Sequence, residues 1–388
     1  MPIRIPCRAD VTRFILAGAG AAVLASCAAP DRVEEPAPQP VRRATSIEED
    51  RARIGADREE LSKLGLRMEW GSVATVAKGK SVTAFEPFDD LVATLDSSGI
   101  VTVLEAASGQ PRWNAPVSSE VTRFVGISRA DDNLLVCSEV DTFALDLRTS
   151  TLRDIQRLAK VANTAPLLAA NMLIYGTTSG LVVAHNLFNG IPAWQYQIPG
   201  SIVSRVVAAG PYVAVVSQAG RLMILEPASG GSVGNAWVGG GLATDPVATN
   251  ELIIVASLDQ SLYAFSVNGG SLRWRLRTDA PLVHQPACVA NRVYVTLPGK
   301  GLTCLDAGTG NARWNNDKVT GAVVSVMGGR MVVWDAGSGL VSSVERDSGV
   351  LVGQGTLGAV AMLRAEPMEG GPLYAITPAG VISRFRAR

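Results

Sequence analysis

The sequence predicts an all-β protein: an eight-bladed β-propeller, four strands per blade, closed by an N-terminal strand. Three observations predict it. A turn residue followed by an alternating strand recurs at positions 99, 140, 180, 220, 260, 301, 339 and 380, in steps of 38 to 41 residues. A tryptophan follows four of these anchors by 13 or 14 residues, at Trp113, Trp194, Trp274 and Trp314. A fifth tryptophan strand, around Trp70, lies upstream of the first anchor, while the last repeat stops at Arg388 one strand short.

Composition supports short strands and excludes several functions. The 388 residues carry 35 basic and 35 acidic side chains, so the basic excess of a nucleic-acid binder is missing. With 39 glycines, 47% hydrophobic and 18% charged residues, the chain is not a disordered one. His185 and His284 are the two histidines, which leaves little for a His-rich metal site or a Ser-His-Asp triad. No Cys-x-x-Cys, His-x-x-x-His or Walker loop occurs. The expectation is a protein without catalytic residues, metal or cofactor.

Residues 1–26 fit an export signal. Arg4, Arg8 and Arg13 precede Phe14–Ala25, an apolar run of 12 residues. That is too short for a membrane span, which needs about 20, and suits a signal core. Leu24-Ala25-Ser26-Cys27 then resembles a bacterial lipobox, whose cysteine is lipidated and becomes the new N-terminus. Cys27 is the expected lipid anchor, and Ala28 in place of aspartate favours the outer membrane. Of the later cysteines, Cys137, Cys288 and Cys304 read as buried small hydrophobes; a Cys288–Cys304 bridge is the alternative.

Residues 27–45 contain Pro30–Arg43, a stretch with four prolines, and read as an extended tether. Residues 46–65 fit a short helix. Ser46 and Glu49 make a capping box, and Ile47, Ile54 and Leu61 recur every seven residues. A solvated rim helix, partial disorder and a partner-binding helix all remain open for it.

The propeller occupies residues 66–388. Eight blades need about 320 residues, and this span supplies 323. The strand around Trp70 is expected to complete the final blade beside Val381–Phe385, which hides two sheet edges. The blade tryptophans Trp70, Trp113, Trp194, Trp274 and Trp314 are expected between blades, in a packing role. Asp154, Gly234 and Gly353 hold the matching slots elsewhere; Trp237 lies three residues late. Asp131-Asp132-Asn133 reads as a hairpin turn, Gly239-Gly240-Gly241 as a flexible one, and Arg384, Arg386 and Arg388 as a solvated basic tail.

The run A-x-x-G-x-x-x-W, best seen in Ala106–Trp113 and in Asp306–Trp314, resembles the repeat of quinoprotein-type propellers. The quinone enzymes of that class carry a vicinal cysteine pair and a calcium site; this chain has no Cys-Cys pair. With the lipobox, tether and eight blades, the chain resembles more closely the BamB family of outer-membrane assembly lipoproteins. That resemblance implies a non-catalytic scaffold at the periplasmic face of the outer membrane. The implied partners are the POTRA domains of a BamA-like barrel-forming protein and unfolded outer-membrane clients. In that family an apolar-x-apolar-Arg run after the fourth tryptophan strand meets the partner. Here Ile202 and Arg205 match it, Ser204 replaces the second apolar residue, and Asp245 is the acid kept in the next loop. An Ile202→Asp, Arg205→Glu double variant is accordingly expected to stay folded and lose the partner. The rival readings are a lipid-anchored module for another envelope partner or polymer and, last, a quinone-dependent oxidoreductase.

Overall fold

The computed structural model describes residues 63–118, 123–357 and 360–388. The signal, Cys27, the tether and residues 46–62 of the expected helix lie outside them. Among the described residues, thirty-two strands form eight antiparallel sheets of four. Seven sheets are consecutive in sequence: blades one to seven span 82–116, 124–157, 167–197, 207–237, 247–277, 287–316 and 322–356. The eighth combines Met362–Ala365, Leu373–Ile376 and Val381–Ala387 with the N-terminal strand Leu66–Val73. That strand pairs with Val381–Ala387 from Leu66↔Ala387 to Val73↔Val381, which closes the ring.

The recurring anchor marks the hairpin between the second and third strands. Gly99, Gly180, Gly220, Gly301, Gly339 and Gly380 all have φ between 68° and 93°. An L-residue there meets its own carbonyl, so glycine is favoured. Gln260 fills the slot in blade five at φ 66°.

The tryptophans join blade to blade. Each donates its indole N–H to a backbone carbonyl in the last hairpin of the next blade. Trp70 bonds Ala106 at 3.0 Å, Trp113 bonds Leu147 at 2.8 Å and Trp194 bonds Pro227 at 2.9 Å. Trp274 bonds Ala307 at 2.7 Å and Trp314 bonds Arg346 at 3.2 Å. For four of the five the ring lies on a glycine of the same hairpin: a Cβ on Gly310 would sit 2.6 Å from the Trp274 indole, and one on Gly230 2.6 Å from Trp194. In the hairpin that Trp113 reaches, Ser150 takes the positive-φ position at 62°. The A-x-x-G-x-x-x-W spacing therefore encodes two halves of different seams. Its glycine receives the previous blade's tryptophan, and its own tryptophan reaches the next blade.

Three seams lack the tryptophan. Between blades two and three, Gln156 Nε2 donates to Leu187 O at 2.8 Å, replacing the indole bond. Between four and five, Gly234 stands at the tryptophan register and packs backbone to backbone on Gly269. Between seven and eight, Gly353 makes room for the Lys63 backbone, beside the buried Leu64. Packing thus reaches back to Lys63, three residues before the closing strand and inside the expected helix boundary at 65. Trp237 is not a seam residue: it is 61% exposed, with the Arg221 guanidinium 4.9 Å over its ring.

The disulfide alternative falls away, and the expectation of a solvated basic tail is corrected. Cys137, Cys288 and Cys304 are free thiols, so no Cys288–Cys304 bridge forms. Arg384 is not solvated: it is 8% exposed and donates to Ala106 O at 2.9 Å, with Glu69 at 3.3 Å. Arg386 pairs with the other oxygen of Glu69 at 3.3 Å. These arginines clasp the closing strand because they lie in the strand that pairs with it.

Candidate functional site: the mouth of the central channel

The innermost strands of the blades surround a funnel of about 880 Å³. Its walls are mostly aliphatic, including Leu167, Val207, Val247 and Leu363, with Trp334 and Cys288 among them. Polar groups gather around it: Arg205, Asp245, His284 and Gln285 from loops between blades, and Glu86, Arg364 and Glu366 from blades one and eight.

The loops that enter the innermost strands repeat with the blades. Ala162, Ile202, Leu242 and Leu282 stand 40 residues apart, and all four are buried, Ile202 at 0% exposure. Ile202 shares a buried cluster with Ile174, Val182, Val206, Val213 and Val215 across the seam of blades three and four, and lies over the Cα of Gly176. Its N–H donates to Thr177 O at 3.0 Å, and its carbonyl accepts from Asn163 Nδ2 at 2.7 Å. Ser204 is buried as well, its hydroxyl donating to Val216 O at 3.1 Å. The sequence expectation that both face a partner is corrected: they plug the seam. An aspartate at 202 would place a carboxylate in an aliphatic cluster, so the double variant would not stay folded.

Arg205 and Asp245 are brought together at the mouth. The Asp245 carboxylate accepts the Arg205 backbone N–H at 2.7 Å and lies 3.7 Å from its Nε. The Arg205 side chain is 42% exposed, Asp245 29%. Val203, two residues before Arg205, is 49% exposed, and Val283, on the inter-blade loop after that of Asp245, is 57% exposed. Sequence reasoning missed these two valines. The available signal was the 40-residue step itself: position 202 and its repeats are invariably apolar plugs, whereas 203 and 205 vary between repeats.

His284 lines the funnel, whereas His185 lies in the third strand of blade three. His185 is fully buried, its Nε2 2.8 Å from Gln156 Oε1. Burial holds its imidazole below the ordinary histidine pKa. Glu366 near the mouth is raised, first by partial burial and then by Asp89 and Glu86.

Eight four-stranded blades, indole-to-hairpin seams and an N-terminal closing strand define a PQQ-like-repeat propeller. Comparison with known proteins narrows this. The family model described as outer membrane protein assembly factor BamB matches residues 67–196 and 235–366, and the chain belongs to that family. It is 25% identical over 356 residues to the outer membrane protein assembly factor BamB of Burkholderia pseudomallei, covering 84% of this chain and 89% of the relative. It is 22% identical over 161 residues to that of Bordetella pertussis, covering 40% of this chain and 42% of the relative. Among solved structures it resembles BamB from Moraxella catarrhalis with TM-score 0.66 and 20% identity, over 83% of this chain and 97% of that one. The computationally designed protein Ika8 also gives TM-score 0.66, at 12% identity over 81% of this chain and 100% of that one. That second likeness shows the fold alone, and a fold does not by itself specify a function.

Proposed function

We propose that the chain is a non-catalytic scaffold lipoprotein of outer-membrane protein assembly, anchored through Cys27 at the periplasmic face of the outer membrane. Its channel mouth docks the POTRA domains of the barrel-forming protein, and the complex holds unfolded barrel clients. Membership of a family whose relatives are named assembly factors supports the role. The observation that carries the surface is the pairing of exposed Val203 and Val283 with the Arg205–Asp245 contact at one mouth. Apolar contacts supply burial there, and a guanidinium, which only donates, takes a carboxylate or carbonyl of the partner. The scaffold reading also fits the two histidines, one of which is consumed by a structural bond to Gln156.

The test is crosslinked affinity purification from detergent-solubilised envelopes, with mass spectrometry of what co-elutes. Recovery of a POTRA-bearing barrel protein, lost in a Val203→Glu, Arg205→Glu variant that melts like the wild type, is the expected result. A partner set without any barrel protein would overturn the assembly role and favour an envelope-binding module of another kind. Capture undiminished in the variant would overturn this surface.

A further inference from the structure

The Arg205 guanidinium is held from two sides. Asp245 is its neighbour from the next blade. The second group comes from across the channel: Glu86 Oε1 lies 3.6 Å from Arg205 Nη1. Glu86 belongs to the innermost strand of blade one, and blade one does not adjoin blade four, so this contact crosses the ring rather than a seam. The same Glu86 oxygen lies 3.6 Å from Nη1 of Arg364, on the innermost strand of blade eight. One carboxylate therefore serves two arginines from two other blades.

Glu86 is the most enclosed of the three, at 22% side-chain exposure against 42% for Arg205 and 36% for Arg364. An ion pair partly removed from water is screened less than a surface pair, so it can orient a long side chain. At 3.6 Å the contacts are longer than hydrogen bonds and leave the guanidinium donors open. Without Glu86 the carboxylate left beside the Arg205 guanidinium is Asp245, which already accepts its backbone N–H. A guanidinium free to turn makes a bidentate bond to such a carboxylate, which would fold Arg205 back onto its own loop.

We propose that Glu86 is a positioning residue of the docking surface. It holds the Arg205 guanidinium out over the channel mouth, and through Arg364 it ties that orientation to blade eight, whose fourth strand is the N-terminal one. This rests on the reading of Arg205 as a docking residue.

The test is a double-mutant cycle. Affinity of the detergent-solubilised full chain for the purified POTRA array of its own barrel-forming protein is measured for wild type, Glu86→Gln, Arg205→Ala and the double variant. Glu86→Asp is run alongside; it keeps the charge and shortens the reach. Expected is a loss of about tenfold or more for Arg205→Ala, about three- to tenfold for Glu86→Gln with an unchanged melt, and no further loss for Glu86→Gln once Arg205 is alanine. Glu86→Asp should lose affinity in the same direction and show the same coupling. Wild-type affinity in both Glu86 variants, or equal losses in both backgrounds, would overturn the positioning role while leaving Arg205 as a docking residue. Wild-type affinity in Arg205→Ala would instead overturn the docking reading, and this inference with it.

Discussion

At the residue scale, single side chains carry the seams. Trp274 is 9% exposed, lies against Gly310 and bonds Ala307. Its truncation removes a large buried area and leaves a carbonyl unpaired. Trp274→Ala is expected to cost about 3–5 kcal/mol in denaturant unfolding, and a cost below about 1 kcal/mol would mean that the seam closes without it. Gln260 supplies the opposite case. At φ 66° it strains where six other blades use glycine. Gln260→Gly should raise stability by up to about 1 kcal/mol, because the left-handed penalty outweighs the extra chain entropy. A lower melting temperature would count against that balance. For Ile202→Asp the expectation is a large loss of folded protein, read as a much earlier thermal transition, since a buried carboxylate has no partner among those side chains.

At the scale of the element, the strand and turn pattern was legible because its physics is local. Left-handed hairpin positions demand glycine, and alternation marks strands, so the anchors alone located each third strand. What stayed hidden was the β-bulge. All eight outer strand pairs shift register beside the tryptophan slot, as between Val103 and Leu104 or between Cys304 and Leu305. An extra residue bends and twists the strand locally. The residue skipped in blade eight is Glu69, between Met68 and Trp70, and it is the one that meets Arg384 and Arg386. The seam of blades two and three is built differently and should respond to pH. His185 is buried there, so its pKa lies below that of the unfolded chain, near 6.5. Its contribution is complete above about pH 6.5 and is lost as pH falls below that, because the unfolded chain takes up the proton first. The wild type should lose more stability between pH 7 and pH 5 than a His185→Gln variant does; parallel pH profiles would rule the imidazole out as the cause.

At the scale of the whole molecule, closure decides integrity. The last blade is assembled from both ends of the described chain, and Trp70, Glu69 and Arg384 converge on that junction. Leaving Arg384 buried without its carboxylate should be costly, because the guanidinium cannot shed its charge. Glu69→Gln is expected to destabilise by about 1–3 kcal/mol, since Glu69 keeps some solvent contact. Urea unfolding measures it, and an unchanged midpoint would show that Arg386 and the strand pairing suffice without the charge.

The candidate site divides along the same line as the fold. The repeat of about 40 residues, the tryptophan spacing and the odd strand at each end determined eight blades and their closure, since each is a local demand of turns and strands. The loop after Trp194 was found from the sequence, but not which of its residues face out. Ile202 and Arg205 stand three residues apart; one is sealed under a seam and the other hangs over the channel. Loop residues lack the fixed alternation of a strand, so their direction follows from neighbouring blades. Only the closed ring brings Glu86, Arg205 and Arg364 from blades one, four and eight to a common point, since ion pairs across a channel depend on distances that no linear spacing contains.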